Sequence, residues 1–374
     1  MKLIRSARYV CMIPGRYATV LALLALAACG PAKATVPQAT ATLPRGTEEP
    51  APLPLSEPGP YHTGKRSYTF ADANRDGRKV GITVWYPALK PEDDGSIAKD
   101  AVPDLSGAPY PLILSSTKMA SALAPYLISH GFTWASVDGI DSYYQMNEQM
   151  IEQPLDILFA LGQVASGPLE GLVGMIDAER AGAIGYSFDG YNALALSGAR
   201  VDPEFYLSQC ANPDATKTVS LSAFSCAPAR TWDEFAAHAG EAITASEDGL
   251  WQPMTDERIR AVMPIAGEGW WLFGDRGLAA VDRPALIIVA TRDELYPENA
   301  LIFEHLGTPD KALVSFVGLT HMMVFDDEAV ARMAHFAVAF FGYHLQGRKD
   351  LAWYFSEDFV ARHDDLAWGV YTDE

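Results

Sequence analysis

With 374 residues, 49% of them hydrophobic, the chain can bury a substantial core in one large domain or two ordinary ones. Its 28 Lys and Arg face 47 Asp and Glu, a formal net charge of −19. That balance argues against a nucleic-acid partner, because backbone phosphates demand clustered cations, and it disfavours polyanionic substrates.

The first segment has the pattern of an export signal. Lys2, Arg5, Arg8 and Arg16 precede an apolar run over residues 18–28. That run falls short of the roughly 20 apolar residues needed to cross a bilayer. Residues 31–60 then turn to Pro, Ala, Thr and Glu with hardly a large apolar side chain, the composition of a semi-extended tether that buries no core. The folded domain is expected to start near Tyr61 and run to residue 374.

The apolar run ends in Leu26-Ala27-Ala28-Cys29-Gly30, which resembles the lipobox of bacterial lipoproteins. The resemblance implies that residues 1–28 are removed and that Cys29 is lipidated as the mature N-terminus, anchoring the protein to a membrane. Since Asp is absent at position 30, it further implies an outer-membrane protein facing the periplasm or the cell surface. An ordinary cleavage site with an incidental cysteine is the alternative. Beyond Cys29 and the leader's Cys11, only Cys210 and Cys226 remain. In an exported domain these two favour a disulfide over two buried thiols. Neither has a His or Cys nearby at ligand spacing, so no metal site is expected there.

From Tyr61 onward strands alternate with helices. "KRSYTF" and "VGITVWYP" flank the turn-forming "ADANRDG" and predict a hairpin. The run "YPLILSS", the helical "ASALAPYLISHG" and the buried strand "FTWASVD" follow. Helix "NEQMIEQPLDILFALGQV" leads to strand "RAGAIGY", to a serine, and to helix "FDGYNALALSG". After a long irregular segment come strands "IRAVMPIAG" and "ALIIVATRD", helix "PENALIFEHL", strand "KALVSFVG" and helix "DEAVARMAHFAVAFFGYHL". Apolar strands alternating with amphipathic helices predict an α/β domain whose mostly parallel sheet is covered on both faces.

Ser187 falls between a buried strand and the helix after it. A sharp turn there exposes the hydroxyl at the carboxyl edge of the sheet, near helix N–H groups able to receive negative charge. Gly185 suits the close approach of strand and helix. Asp189 stands where Gly-x-Ser-x-Gly would have glycine, although Gly190 follows at once. A serine nucleophile needs a base, and the base needs an orienting carboxylate. Downstream, Asp293 closes "ALIIVATRD", and His321 lies in "GLTHMM" after "KALVSFVG". The order serine, acid, histidine, each at a strand end, is that of an elbow-type hydrolase.

Over about residues 65–347 the chain resembles the α/β-hydrolase superfamily. Within it, the chain looks like the branch of dienelactone-hydrolase-like and platelet-activating-factor-acetylhydrolase-like proteins. The matching segments are "VGITVWYPA", "GYSFDGYNALALSGA", "RPALIIVATRDELYP" and "GLTHMM". The resemblance implies Ser187 as nucleophile, Asp293 as acid and His321 as base, with the Phe188 N–H as one oxyanion donor and no cofactor. That branch usually writes the elbow Gly-His-Ser-Phe-Gly-Gly, from which Tyr186 and Asp189 depart. Some of its members take the acid from the preceding strand, where this chain has Glu268. The branch carries Ser-His-Gly after its third strand. Here Ser116-Thr117-Lys118-Met119 stands in that place, making the Met119 N–H the second donor by position. "SHG" at 129–131 is a decoy that ends a helix.

Residues 201–258 are too long for a simple connection and lie where this superfamily places a lid. Asp72, Asn74 and Asp76 match half of a calcium loop, but Thr83 stands where the bidentate Glu is needed, so a hairpin turn is the better reading. His130, His305, His335 and His344 fall in helical patterns and read as structural or solvated. Trp270 and Trp271 suit either an acyl pocket or ordinary packing. The expected activity is hydrolysis of small carboxylic esters through an acyl-enzyme. A degenerate hydrolase-fold binding lipoprotein is the alternative reading, and a peptidase a further one, since fold alone does not choose between ester and amide.

Overall fold

The computed structural model describes residues 52–90, 97–138, 146–167, 169–211 and 225–372. The leader, Cys29 and most of the tether lie outside the described residues, as do residues 212–224 of the long insertion.

The hairpin forms from β1 (His62–Asp72) and β2 (Arg78–Ala88), paired antiparallel along their length. In its turn the Asp72 carboxylate accepts from the Asn74 N–H at 3.0 Å and from Arg75 Nε at 2.7 Å, while Asp76 adopts φ 50°. A short β3 (Ile97–Lys99) pairs with β1. Then come β4 (Tyr110–Ser116), α1 (Thr117–Ser129), β5 (Thr133–Val137), α2 (Met146–Ser166), β6 (Ile176–Tyr186) and α3 (Phe188–Leu196). The insertion contributes α4 (Pro203–Ala211), α5 (Trp232–Ala239) and α6 (Glu241–Thr244). The chain closes with β7 (Ile259–Ile265), α7 (Trp270–Leu278), β8 (Ala285–Ala290), α8 (Tyr296–His305), β9 (Lys311–Phe316), α9 (Asp327–Leu345) and β10 (Leu366–Trp368).

The described strands form one sheet in the order β10-β9-β8-β7-β6-β4-β5-β2-β1-β3. From β5 through β9 all neighbours are parallel. Every residue of β4 and β8 is buried, as expected of parallel strands covered on both faces. The crossover from β4 to β5 moves one way along the sheet, and those from β5 to β6 and onward move the other. Right-handed crossovers therefore put α1 on one face, where α9 joins it, and α2, α3, α7 and α8 on the other. Between β4 and β6 the direction reverses, which opens a crevice at their carboxyl ends.

Two features differ from expectation. The packed chain begins before Tyr61: Leu55 is buried against α9, and its N–H donates to His335 Nδ1 at 3.2 Å. Burial pushes His335 down to about 3, so its ring stays neutral and accepts. The antiparallel edge strand β10 and the short α4–α7 helices had no periodic signal in the sequence. Within the insertion Cys210 and Cys226 are joined by a disulfide, with Cα atoms 5.4 Å apart.

Candidate active site

The turn from β6 into α3 is strained. Ser187 holds φ 61° and ψ −125°, a backbone conformation that non-glycine residues occupy only where the surroundings impose it. Its N–H donates to the Ile265 carbonyl of β7 at 2.9 Å, and its own carbonyl accepts from Gly190 N at 2.8 Å. Two glycines permit the tightness. A Cβ on Gly185 would lie 2.0 Å from the Asp189 carbonyl oxygen, and one on Gly190 would lie 2.6 Å from Gly267 Cα.

The geometry brings Ser187, His321 and Asp293 together. Ser187 Oγ is 3.1 Å from His321 Nε2, and His321 Nδ1 is 2.9 Å from Asp293 Oδ2. With a carboxylate facing Nδ1, that nitrogen carries the proton, and Nε2 accepts the serine hydroxyl. The other oxygen of Asp293 takes the Leu295 N–H at 2.8 Å, and its side chain is fully buried. Burial by itself pulls the His321 pKa down. The hydrogen bond and charge of Asp293, reinforced by Glu294 and Glu268, outweigh it and leave the imidazole above its ordinary value.

Glu268 sits elsewhere in the same site. Its Oε1 is 3.5 Å from Ser187 Oγ, at the outer limit of hydrogen-bond reach. The serine has one proton, and the closer His321 nitrogen is the better acceptor. Both ring nitrogens of His321 are engaged, one by Asp293 and one by Ser187.

Three residues that pattern reading passed over or read otherwise hold these groups in place. Tyr186, noted only as a departure from the usual elbow, donates its hydroxyl to the His321 carbonyl at 2.6 Å, and its ring lies 4.9 Å from the imidazole. On α8, Glu298 and Asn299 grip the loop that carries Glu268. Glu298 Oε1 accepts from Gly269 N at 2.7 Å and Trp270 N at 3.0 Å. Asn299 accepts from Gly267 N at 3.1 Å and donates to the Gly267 carbonyl at 3.0 Å. Burial, aided by the charge of Glu268, pushes Glu298 up to about 8. No sequence pattern marks these two, since a polar pair in the first turn of a helix is commonplace.

The expected oxyanion donors occupy matching places. Phe188 opens α3 and Met119 lies in the first turn of α1, where helix N–H groups have no intrahelical acceptor. Their parent strands, β6 and β4, are hydrogen-bonded neighbours. Asp189, a departure from the usual pattern, is buried and accepts from the Ser116 N–H at the end of β4. Trp271 is buried, whereas Trp270 is partly exposed and packs edge-on against Phe205 of α4.

No protein-family model matches the chain, and no curated protein matches it. Among solved structures it is similar to a ferulic acid esterase from Streptomyces cinnamoneus, with a TM-score of 0.54 and 17% sequence identity. The match covers 84% of this chain and 98% of that one. At that identity the likeness bears on the fold, and together with the strand order above it establishes the α/β-hydrolase fold for this chain.

Proposed function

We propose that the protein is a serine carboxylic-ester hydrolase acting through an acyl-enzyme, of the dienelactone-hydrolase-like and acetylhydrolase-like kind. The observation that carries the reading is the hydrogen-bonded series Ser187–His321–Asp293 on a strained strand-to-helix turn. Ser187 Oγ attacks the ester carbonyl as His321 Nε2 takes its proton. The oxyanion that forms is held by the N–H groups of Phe188 and Met119. The tetrahedral species collapses, the C–O bond breaks, and the leaving alcohol takes the proton from His321. Water repeats the sequence on the acyl-enzyme and releases the acid. Asp293 keeps the imidazole in the productive tautomer. Small, neutral, short-acyl esters are the proposed substrates, with residues 201–258 as the lid that limits their size.

Reaction with a fluorophosphonate, mapped by mass spectrometry, tests the reading. The label is expected on Ser187. Ser187→Ala and His321→Ala should each lose at least about 10,000-fold of the activity on p-nitrophenyl acetate or butyrate, with the double variant hardly worse. A ferulic acid ester belongs in the same panel. A wild-type protein that takes no label and cleaves no ester would leave the binding-protein reading standing.

The location proposed is the cell envelope, with Cys29 lipidated and the Pro/Ala/Thr-rich residues ahead of the packed Leu55 as tether; the leader and lipobox-like sequence support it. Cys29→Ala should release the protein from the membrane fraction. A wild-type protein found soluble, with its mature N-terminus past Cys29, would refute the anchor.

A further inference from the structure

Asp189 breaks the elbow pattern, and its surroundings explain what it does. It is the second residue of α3 and 1% exposed. Its two carboxylate oxygens lie 3.1 and 3.2 Å from the N–H of Ser116, the last residue of β4 and the N-cap of α1. Oδ1 also accepts from Asn192 Nδ2 at 2.9 Å, and that same amide nitrogen donates to Gln153 Oε1 of α2 at 2.8 Å. The other side of Ser116 is held as well. Its carbonyl accepts from Ser115 Oγ at 2.6 Å, and Ser115 Oγ in turn accepts from Trp134 Nε1 at 2.8 Å. All six of these side chains or their residues are buried: Ser115, Ser116, Trp134, Gln153, Asp189 and Asn192.

One side chain therefore ties the first turn of the elbow helix to the residue at which the chain leaves β4 for α1. Three residues on stands Met119, the second proposed oxyanion donor. The turn reads Ser116-Thr117-Lys118-Met119 and contains no glycine to shape it. A glycine at position 189 would offer Ser116 nothing to bond. A buried backbone N–H left without a partner is unfavourable, so that turn would be free to shift.

We propose that Asp189 is a positioning residue for the oxyanion site: its carboxylate fixes the Ser116–Met119 backbone against the elbow so that the Met119 and Phe188 N–H groups converge. It acts on the transition state, where negative charge develops, and not on ground-state binding. The proposal rests on the esterase reading.

The test uses the full-length protein with Asp189→Gly and the near-isosteric Asp189→Asn, which keeps one acceptor oxygen. Steady-state kinetics on p-nitrophenyl acetate are paired with inhibition by a short alkyl boronic acid, which forms a tetrahedral adduct on the serine. Losing one oxyanion donor costs on the order of 100- to 1000-fold, and a displaced donor should cost less. Asp189→Gly is expected to lower kcat by about 30- to 100-fold, leave KM within threefold, and weaken the boronic acid in parallel. Asp189→Asn should lie between it and wild type. Should the glycine variant fail to fold, the asparagine variant decides. A folded Asp189→Gly variant with kcat within threefold of wild type, or in its absence an Asp189→Asn variant indistinguishable from wild type, overturns the proposal. So does a larger loss that raises KM alike or leaves boronic-acid affinity untouched. Failure of the esterase reading looks different: there wild type itself is inactive and Ser187 takes no label.

Discussion

The loops after β7 and β8 leave the same edge of the sheet, and each carries an acid into the site, yet they are built by different means. After β8 an ordinary turn suffices. The Asp293 N–H returns to the Ala290 carbonyl at 3.1 Å, one carboxylate oxygen takes the Leu295 N–H, and the other faces His321. After β7 the chain is forced. Ala266 holds φ 45° and Gly269 holds φ 134°, where a Cβ would lie 2.8 Å from the Phe273 ring. Glu298 and Asn299 clamp both flanks of Glu268 from α8. An acid that orients a base needs only a short turn with a free oxygen. A carboxylate held against a nucleophile takes strain, and strain persists only where neighbouring groups impose it.

Exchanging the charges tests that contrast most directly. Asp293→Asn should cut kcat on p-nitrophenyl esters by on the order of 1,000- to 10,000-fold, because the imidazole loses its tautomer control. Glu268→Gln should cost less than about tenfold, because Glu268 is the weakest of the charges that raise His321 and its loss leaves the hydrogen bonds of the imidazole to Asp293 and Ser187 in place. The two loops would exchange roles if Glu268→Gln proved the more damaging. The pH profile sharpens the same comparison. His321 acts as a base only when neutral, and its pKa is raised, so activity should appear as pH rises through a midpoint above the usual imidazole value. Glu268 helps to raise it, so Glu268→Gln should move that limb to lower pH. An upward shift would contradict the charge assignment.

The smallest expected effect concerns the clamp. Glu298 rises from about 4.5 to about 8 on folding, so between those values the folded state holds a proton that the unfolded chain has released. Its contribution thus weakens stability as pH climbs through that window and is constant above it. Glu298→Gln keeps an acceptor oxygen for Gly269 and Trp270 but does not titrate. The Tm of the variant relative to wild type should therefore be higher at pH 8.5 than at pH 5, by a few degrees, about what 1–2 kcal/mol produces in a domain of this size. Equal differences at the two pH values would show that Glu298 is already ionised in the fold.

Legibility followed the range of the physics involved. The alternation of apolar runs and amphipathic helices was visible because burial on both faces selects it residue by residue, and β4, β6, β8 and β9 stand where that pattern put them. Ser187 and His321 could be read because each follows such a run. Helices α4 to α7 escaped notice: they are short, and their packing is set by distant partners, as where Tyr206 of α4 meets Trp271 of α7. The pairing of β10 against β9 is decided by a chain end folding back, which leaves no periodic trace.

By itself the sequence determined the α/β alternation, the strand-to-helix place of Ser187, and the chain order of serine, acid and histidine. These rest on local period and on spacing along the chain, which any folded form must respect. Only the tertiary structure decided which carboxylate meets which atom. Asp293 and Glu268 are both acids just beyond apolar strands, and nothing in their neighbours along the chain separates them. The hydrogen bonds of Glu298 and Asn299 to residues 267–270, and of Asp189 to Ser116, cross between elements about 30 and 73 residues apart. Such bonds are selected by three-dimensional distance and by the need to satisfy buried polar groups, and a linear pattern carries neither.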